Sequence, residues 1–360
     1  MQALLAWFAR NARDLPWRRT RDPYAIWISE IMLQQTQVKT VIAYWQRWMA
    51  ALPDVQTFAQ ADSARIHKLW EGLGYYSRVR NAHAAARIIV EEHGGKFPTT
   101  FDEVLALPGV GRYTAGAICS IACNLPTPIL DGNVIRVVSR VFGVAGDPRA
   151  KETNGRLWEL AGELVLTAEK IQSGERNCGR LNEALMELGA LVCAPVEPRC
   201  GLCPLHRQCF ARRKGRVGEL PRPKKVAPPV SRRYVAFLAK KNGRFLVRQR
   251  PAGAVNAHLW EFPNEEISPS EKRPRTAVKD FVLTNSKPVL RVRHSITRYR
   301  ILVEAFPAEL PATAGSRKAP GVWRTPAQLD RLAFTSAHRK ILAAAVQSMP
   351  RLGRKINRPE

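Results

Sequence analysis

Four of the seven cysteines in this 360-residue chain fall within 17 residues, as Cys193-x6-Cys200-x2-Cys203-x5-Cys209. Four thiolates this close can enclose one tetrahedral zinc ion or a cubane iron–sulfur core. Zinc ribbons usually pair two short Cys-x2-Cys knuckles. Here a single short gap is flanked by longer spans, which puts the larger inorganic core ahead and leaves zinc open. Cys119, Cys123 and Cys178 lie outside the group and read as ordinary buried thiols.

Two carboxylates sit where a carboxyl can do chemistry. Glu30 lies in Trp27-Ile28-Ser29-Glu30-Ile31-Met32-Leu33, an apolar setting that would raise its pKa and suit a general acid. The plainer reading is a buried ion pair with an arginine. Asp131, in Ile129-Leu130-Asp131-Gly132-Asn133-Val134, precedes a helix, and its plainer reading is an N-cap. Taken together they match glycoside chemistry, in which one carboxyl protonates the leaving group and the other supports an oxocarbenium-like sugar. A third feature spans residues 107–117, Leu107-Pro108-Gly109-Val110-Gly111-Arg112-Tyr113-Thr114-Ala115-Gly116-Ala117. Gly109 and Gly111 permit a tight turn, and the helix that follows points free N–H groups outward, where a phosphate can bind. A plain αα-hairpin is the alternative.

These groups must be carried by helices. Residues 1–210 read as helical throughout: a run from Tyr24 to Met49 broken near Gln34-Gln35, then 78–92, 101–107, 114–123, 133–142, 155–167 and 180–192, separated by Pro and Gly. Residues 211–230 interleave Arg and Lys with Pro and read as a basic extended linker. Strand patterns follow. Residues 234–238 and 244–247 flank Asn242-Gly243, a hairpin signal, with further strands expected at 289–293 and 299–306 and a helix at 336–347. The expected architecture is multidomain: an all-α domain over 1–210, the linker, an α+β domain over 231–348, and a basic tail over 349–360.

Composition narrows the partners. A balance of 57 Lys+Arg against 30 Asp+Glu gives +27, which favours polyanions such as DNA. No stretch approaches the roughly 20 apolar residues of a membrane span, and the N-terminus lacks a signal-peptide pattern. The expectation is a cytoplasmic, nucleoid-associated bacterial protein that does not engage membranes, in which cysteines stay reduced and favour metal over disulfides.

The combination of the hairpin, Leu130-Asp131-Gly132-Asn133-Val134 and the cysteine quartet resembles the helix–hairpin–helix DNA glycosylases with a [4Fe–4S] cluster. Leu15-Pro16-Trp17-Arg18, Ser29-Glu30-Ile31-Met32-Leu33-Gln34-Gln35-Thr36-Gln37-Val38 and Gly72-Leu73-Gly74-Tyr75-Tyr76 narrow the resemblance to the MutY-type adenine glycosylases, over residues 4–209. Leu259-Trp260-Glu261-Phe262-Pro263 is similar to that family's Nudix-like lesion-recognition module. The resemblance implies base-excision repair: hydrolysis, by a monomer, of the bond holding adenine opposite 8-oxoguanine or guanine in double-stranded DNA. It further implies that Glu30 protonates the base and Asp131 steadies the sugar cation, supported by Asn133 and Tyr113. Trp17, Arg18 and Leu33 would line the base pocket, Gln35 and Tyr75 would wedge into the duplex, and Gly109, Val110 and Gly111 would hold its backbone. Related endonuclease III proteins carry a Schiff-base Lys at the position of Tyr113, so a phenol there implies glycosylase action without lyase action. In the second domain the family reads 8-oxoguanine through a Phe-Ser-His loop. Here Ile296-Thr297-Arg298 stands in its place, with Thr297 supplying the hydroxyl. No acid-rich run of the Nudix-hydrolase kind is present, so this domain is expected to bind rather than hydrolyse. A sliding clamp is a candidate partner. Two alternatives remain at this point: a thymine or uracil mismatch glycosylase of the same superfamily, and a non-catalytic DNA-binding zinc protein.

Overall fold

The computed structural model describes residues 1–171, 176–222, 228–271, 277–278, 280–310 and 321–347. In chain order its helices are α1 (Gln2–Asn11), α2 (Pro23–Leu33), α3 (Val38–Ala51), α4 (Val55–Gln60), α5 (Ser63–Trp70), α6 (Ser77–Glu92), α7 (Phe101–Ala106), α8 (Arg112–Cys123), α9 (Gly132–Phe142), α10 (Lys151–Glu169), α11 (Asn177–Leu191) and α12 (Phe210–Arg213). The strands are β1 (Val230–Lys241), β2 (Arg244–Gln249), β3 (Trp260–Glu261), β4 (Asn264–Ile267), β5 (Ala277–Val278), β6 (Phe281–Leu283), β7 (Leu290–Ile296), β8 (Tyr299–Glu309) and β9 (Val322–Arg324), followed by α13 (Pro326–Asp330) and α14 (Ser336–Gln347). They form two compact units. Among the described residues, one comprises those of 1–61 and 78–222, the other those of 62–77 and 228–347.

In the first unit the hydrophobic run dictates depth. Every residue from Tyr24 to Met32 is buried, which makes α2 a central rather than an amphipathic helix. Asp22 starts it by accepting from the amides of Tyr24 and Ala25, and Pro23 occupies the first turn, where no N–H is needed. Its far end is closed by Arg78, whose Nη1 donates to the carbonyls of Ile31 (2.8 Å), Met32 (3.1 Å) and Gln34. The equally buried α8 packs on α2, and both α8 and α9 pack on α11. Two glycines permit these approaches. A Cβ on Gly116 would lie 2.2 Å from the Pro128 carbonyl oxygen, and one on Gly189 would lie 2.6 Å from the Asn133 Cβ.

In the second unit β1 pairs in parallel with β8 from Val230↔Tyr299 to Ala239↔Ala308, and antiparallel with β2 and β4. β7 and β8 form a hairpin. One apolar layer, containing Ala236, Phe262, Val303 and Ile341, carries α13 and α14, and a second, containing Phe237, Phe281 and Phe306, covers the other side. The expected hairpin about Asn242-Gly243 and the closing helix are present. The short β3, β4, β5, β6 and β9 stand outside the expected strands, being too brief for a period-2 pattern. The segment 62–77 reads as part of the helical domain, and by contacts it groups with the second unit, where the carboxylate of Glu71 accepts from the Phe334 amide at 2.9 Å and from Arg339 Nε at 2.7 Å. The expected tail at 349–360, together with linker residues 223–227, lies outside the described residues.

Candidate active site and cysteine loop

Glu30 projects from the buried helix α2 and is 5% exposed. Its Oε2 accepts a 2.8 Å hydrogen bond from the Tyr113 hydroxyl, presented by the first turn of α8. Burial, reinforced by the nearby charges of Asp131 and Glu183, pushes the Glu30 carboxyl up to about 7, against the opposing pull of Tyr113 and Arg18. Burial of Tyr113 beside Glu30 and Asp131 raises the phenol well above its ordinary value, so it stays a donor.

Asp131 caps α9. One oxygen accepts from the Val134 amide at 2.7 Å and the other from Asn133 Nδ2 at 2.8 Å. Burial raises this carboxyl too, but its two donors hold it back. The N-cap reading and the catalytic reading are thus compatible, because the cap bonds aim and charge-stabilise the carboxylate. The ion-pair reading of Glu30 fails for a visible reason: the arginines near it are held by two other acids. Glu187 accepts from the Arg13 amide and Nε at 2.8 Å each, and from Arg18 Nη2 at 2.9 Å. Glu183 lies 3.4 Å from Arg18 Nε. These pairs hold Glu187 down at about 2, while burial raises Glu183.

Trp17, Arg18, Glu30, Leu33, Gln35, Tyr113, Asp131 and Asn133 line one cavity of about 490 Å³, together with Met186, Glu183 and Glu187. That volume falls within the range of small-molecule pockets. Gly109, Val110 and Gly111 make a separate turn. The Val110 amide bonds the Leu107 carbonyl at 3.1 Å, and Gly109 adopts φ +77°, with a Cβ there meeting Asn81 at 2.6 Å. Tyr75 and Thr297 belong to the second unit. Both adopt left-handed backbone, at φ 48° and 49°, and so does Gln35 at 59°, a conformation uncommon for residues other than glycine. The acids Glu183 and Glu187 carried no motif. Only their four-residue spacing on a helix hinted that they share a face.

Cys193, Cys200, Cys203 and Cys209 surround one cleft walled by Val137, Leu188 and Val192. Arg140 donates to Cys193 Sγ at 3.3 Å and to the Ala194 carbonyl at 2.8 Å. Arg136 donates from Nε to the Cys193 carbonyl at 2.6 Å and from Nη2 to Asn133 Oδ1 at 3.0 Å. Among the described residues, no group of three or more His, Cys, Asp or Glu is spaced to hold a single metal ion. Among them, no helix is long and apolar enough to cross a membrane.

Residues 28–163 match the family model of the HhH-GPD superfamily base excision DNA repair proteins, and residues 234–344 match the NUDIX domain. An adenine DNA glycosylase from Mus musculus is 34% identical over 399 residues, covering 94% of this chain and 76% of that protein. One from Buchnera aphidicola is 38% identical over 264 residues, covering 73% of this chain and 74% of that protein. Among solved structures, a thermostable thymine-DNA glycosylase is 30% identical with a TM-score of 0.52, covering 59% of this chain and 94% of that one.

Proposed function

Because the chain belongs to the adenine DNA glycosylases, base-excision repair enzymes that hydrolyse the N-glycosidic bond, we propose that Glu30 and Asp131 divide that hydrolysis between them on adenine paired with 8-oxoguanine or guanine. The observation that carries this reading is the contrast between two carboxyls on one cavity wall. Glu30, held near 7, keeps a proton to give, and Asp131 has two donors that favour its anion. Tyr113 occupies Glu30 Oε2, which leaves Oε1 to carry the proton toward the departing base. As that bond breaks, positive charge gathers on the sugar and the Asp131 carboxylate stabilises it; water then adds at the sugar carbon and gives its proton to the Glu30 carboxylate, which the departing base has left deprotonated. Arg18, pinned by Glu183 and Glu187, is a fixed donor at the base pocket beside Trp17 and Leu33. Asn133 keeps Asp131 oriented. The flipped base leaves a gap in the stack, which Gln35 and Tyr75 would fill, while the Gly109–Gly111 turn would hold phosphate through backbone amides.

Thr297 supports reading of 8-oxoguanine. Its hydroxyl donates to the Ile296 carbonyl at 2.7 Å, so the oxygen presents lone pairs outward. The N7–H of 8-oxoguanine can donate to that oxygen, whereas the bare N7 of guanine would repel it. The cysteine loop fits a [4Fe–4S] cluster. It offers four sulfurs around one cleft, apolar walls, and Arg140 to offset thiolate charge. Such a group would brace the loop, and Arg136 would pass that order to Asn133. The match to a thymine glycosylase covers 59% of this chain, whereas the adenine glycosylase from Mus musculus covers 94% of it, which favours adenine.

The test is single-turnover release of adenine, thymine or uracil from duplexes with guanine or 8-oxoguanine opposite. Adenine alone should be released, fastest opposite 8-oxoguanine, with the strand intact until alkali and no borohydride-trapped adduct. Release of thymine, or strand scission matching base release, would overturn the reading.

A further inference from the structure

The turn between β7 and β8 carries more charge than a base-reading tip requires. Pairing of Ile296 with Tyr299 leaves Thr297 and Arg298 as a two-residue turn. The Val230 amide donates to the Arg298 carbonyl at 2.9 Å, which fixes the turn against β1. The Arg232 guanidinium lies 4.4 Å from the Tyr299 ring centroid, and that of Arg298 lies 5.4 Å from it. Arg300 Nη1 donates to Ser295 Oγ at 2.7 Å.

The acids in this region are engaged by other arginines. Glu304 takes Arg233 at 2.6 Å and Arg291 at 2.7 Å. Glu266 accepts from the Tyr234 hydroxyl at 2.9 Å and reaches Arg232 only at 3.6 Å. Arg298 and Arg300 therefore present exposed guanidiniums held by a ring and a hydroxyl rather than by a carboxylate. With guanidiniums over its ring, Tyr299 offers a rigid support for cations rather than an open platform for base stacking. A pre-positioned pair of exposed guanidiniums matches the fork geometry of phosphate oxygens.

We propose that Arg298 and Arg300, with Arg232 behind Tyr299, form a phosphate-binding corner that grips the DNA backbone beside the base read by Thr297. The inference rests on the lesion-reading role proposed for Thr297, but the two are separable. Phosphate contacts position the protein, whereas base contacts specify.

The test uses the whole chain in a Glu30→Gln background, so that the DNA is bound without release of the base. Binding to duplexes with adenine opposite 8-oxoguanine or guanine is titrated across KCl concentrations. Arg298→Ala and Arg300→Ala should each reduce the slope of log Kd against log salt by about 0.9. Each should weaken both duplexes by the same factor, leaving the ratio between them unchanged. Arg298→Lys should retain the slope. Thr297→Ala should do the reverse, lowering the ratio at constant slope. An unchanged slope in the double arginine variant would overturn the corner, and so would a lost ratio at constant slope in Arg298→Ala. Reduced arginine slopes with an unaltered ratio in Thr297→Ala would uphold the corner and refute the lesion reading alone.

Discussion

Replacing Glu30 with Gln should abolish base release and at the same time stabilise the protein, in a manner that depends on pH. The unfolded carboxyl titrates near 4.5, whereas burial holds the folded one at about 7. Below 4.5 both states are protonated and burial costs nothing extra. Between 4.5 and 7 the unfolded chain gives up its proton and the folded chain does not, so the wild type loses stability as pH rises. Above 7 the loss is complete, and the difference corresponds to about 3 kcal/mol. Glutamine has no such charge, yet its amide oxygen can still accept from Tyr113. At roughly 2–4 °C per kcal/mol for a unit of this size, the melting midpoint of Glu30→Gln should exceed that of the wild type by several degrees at pH 8. Near pH 4.5 the two should coincide. Because both proteins share every other titrating group, subtracting one curve from the other isolates Glu30. A gap that stays constant from pH 5 to pH 8 would show that this carboxyl is not held protonated by burial, and the general-acid assignment would fall with it.

Two further outcomes bear on the same site. Base release by the wild type should decline as pH rises through about 7, as Glu30 loses its proton. Tyr113→Phe removes a donor that lowers the Glu30 value, so this alkaline limb should move to higher pH, and an unmoved limb would assign it to another group. Cys203→Ser should lose iron, sulfide and visible absorption together and release adenine more slowly, because Arg136 ties the loop to Asn133. A colourless wild-type protein with stoichiometric zinc would refute the cluster.

Much of the fold could be read in the sequence because its signals are local. The largely apolar run around Glu30 calls for a central helix, and it forms one, with Asp22-Pro23 marking the start. Asn242-Gly243 specifies a tight turn, and β1 and β2 meet there. The segment 62–77 shows the opposite case. Its helical pattern is local, but its grouping by contacts rests on Glu71 reaching Phe334 and Arg339, more than 260 positions away. The parallel pairing of β1 with β8 is similarly non-local, and no pattern within either strand announces it.

The site divides along the same line. Glu30 and Asp131 could be chosen by type and setting, and Tyr113 by the family resemblance, but whether Glu30 is an acid or half of an ion pair depended on where the arginines went. That was decided by Glu183 and Glu187 on α11, which as a sequence look like a charged helical face. In the fold they are buried and take up Arg13 and Arg18. Their negative charge serves Glu30 twice. Glu187 draws positive charge away from it, and Glu183 stands near enough to raise its pKa further. The protonation state that makes Glu30 useful is therefore set first by its burial, and it survives because two further buried acids take up the cations that would otherwise lower it.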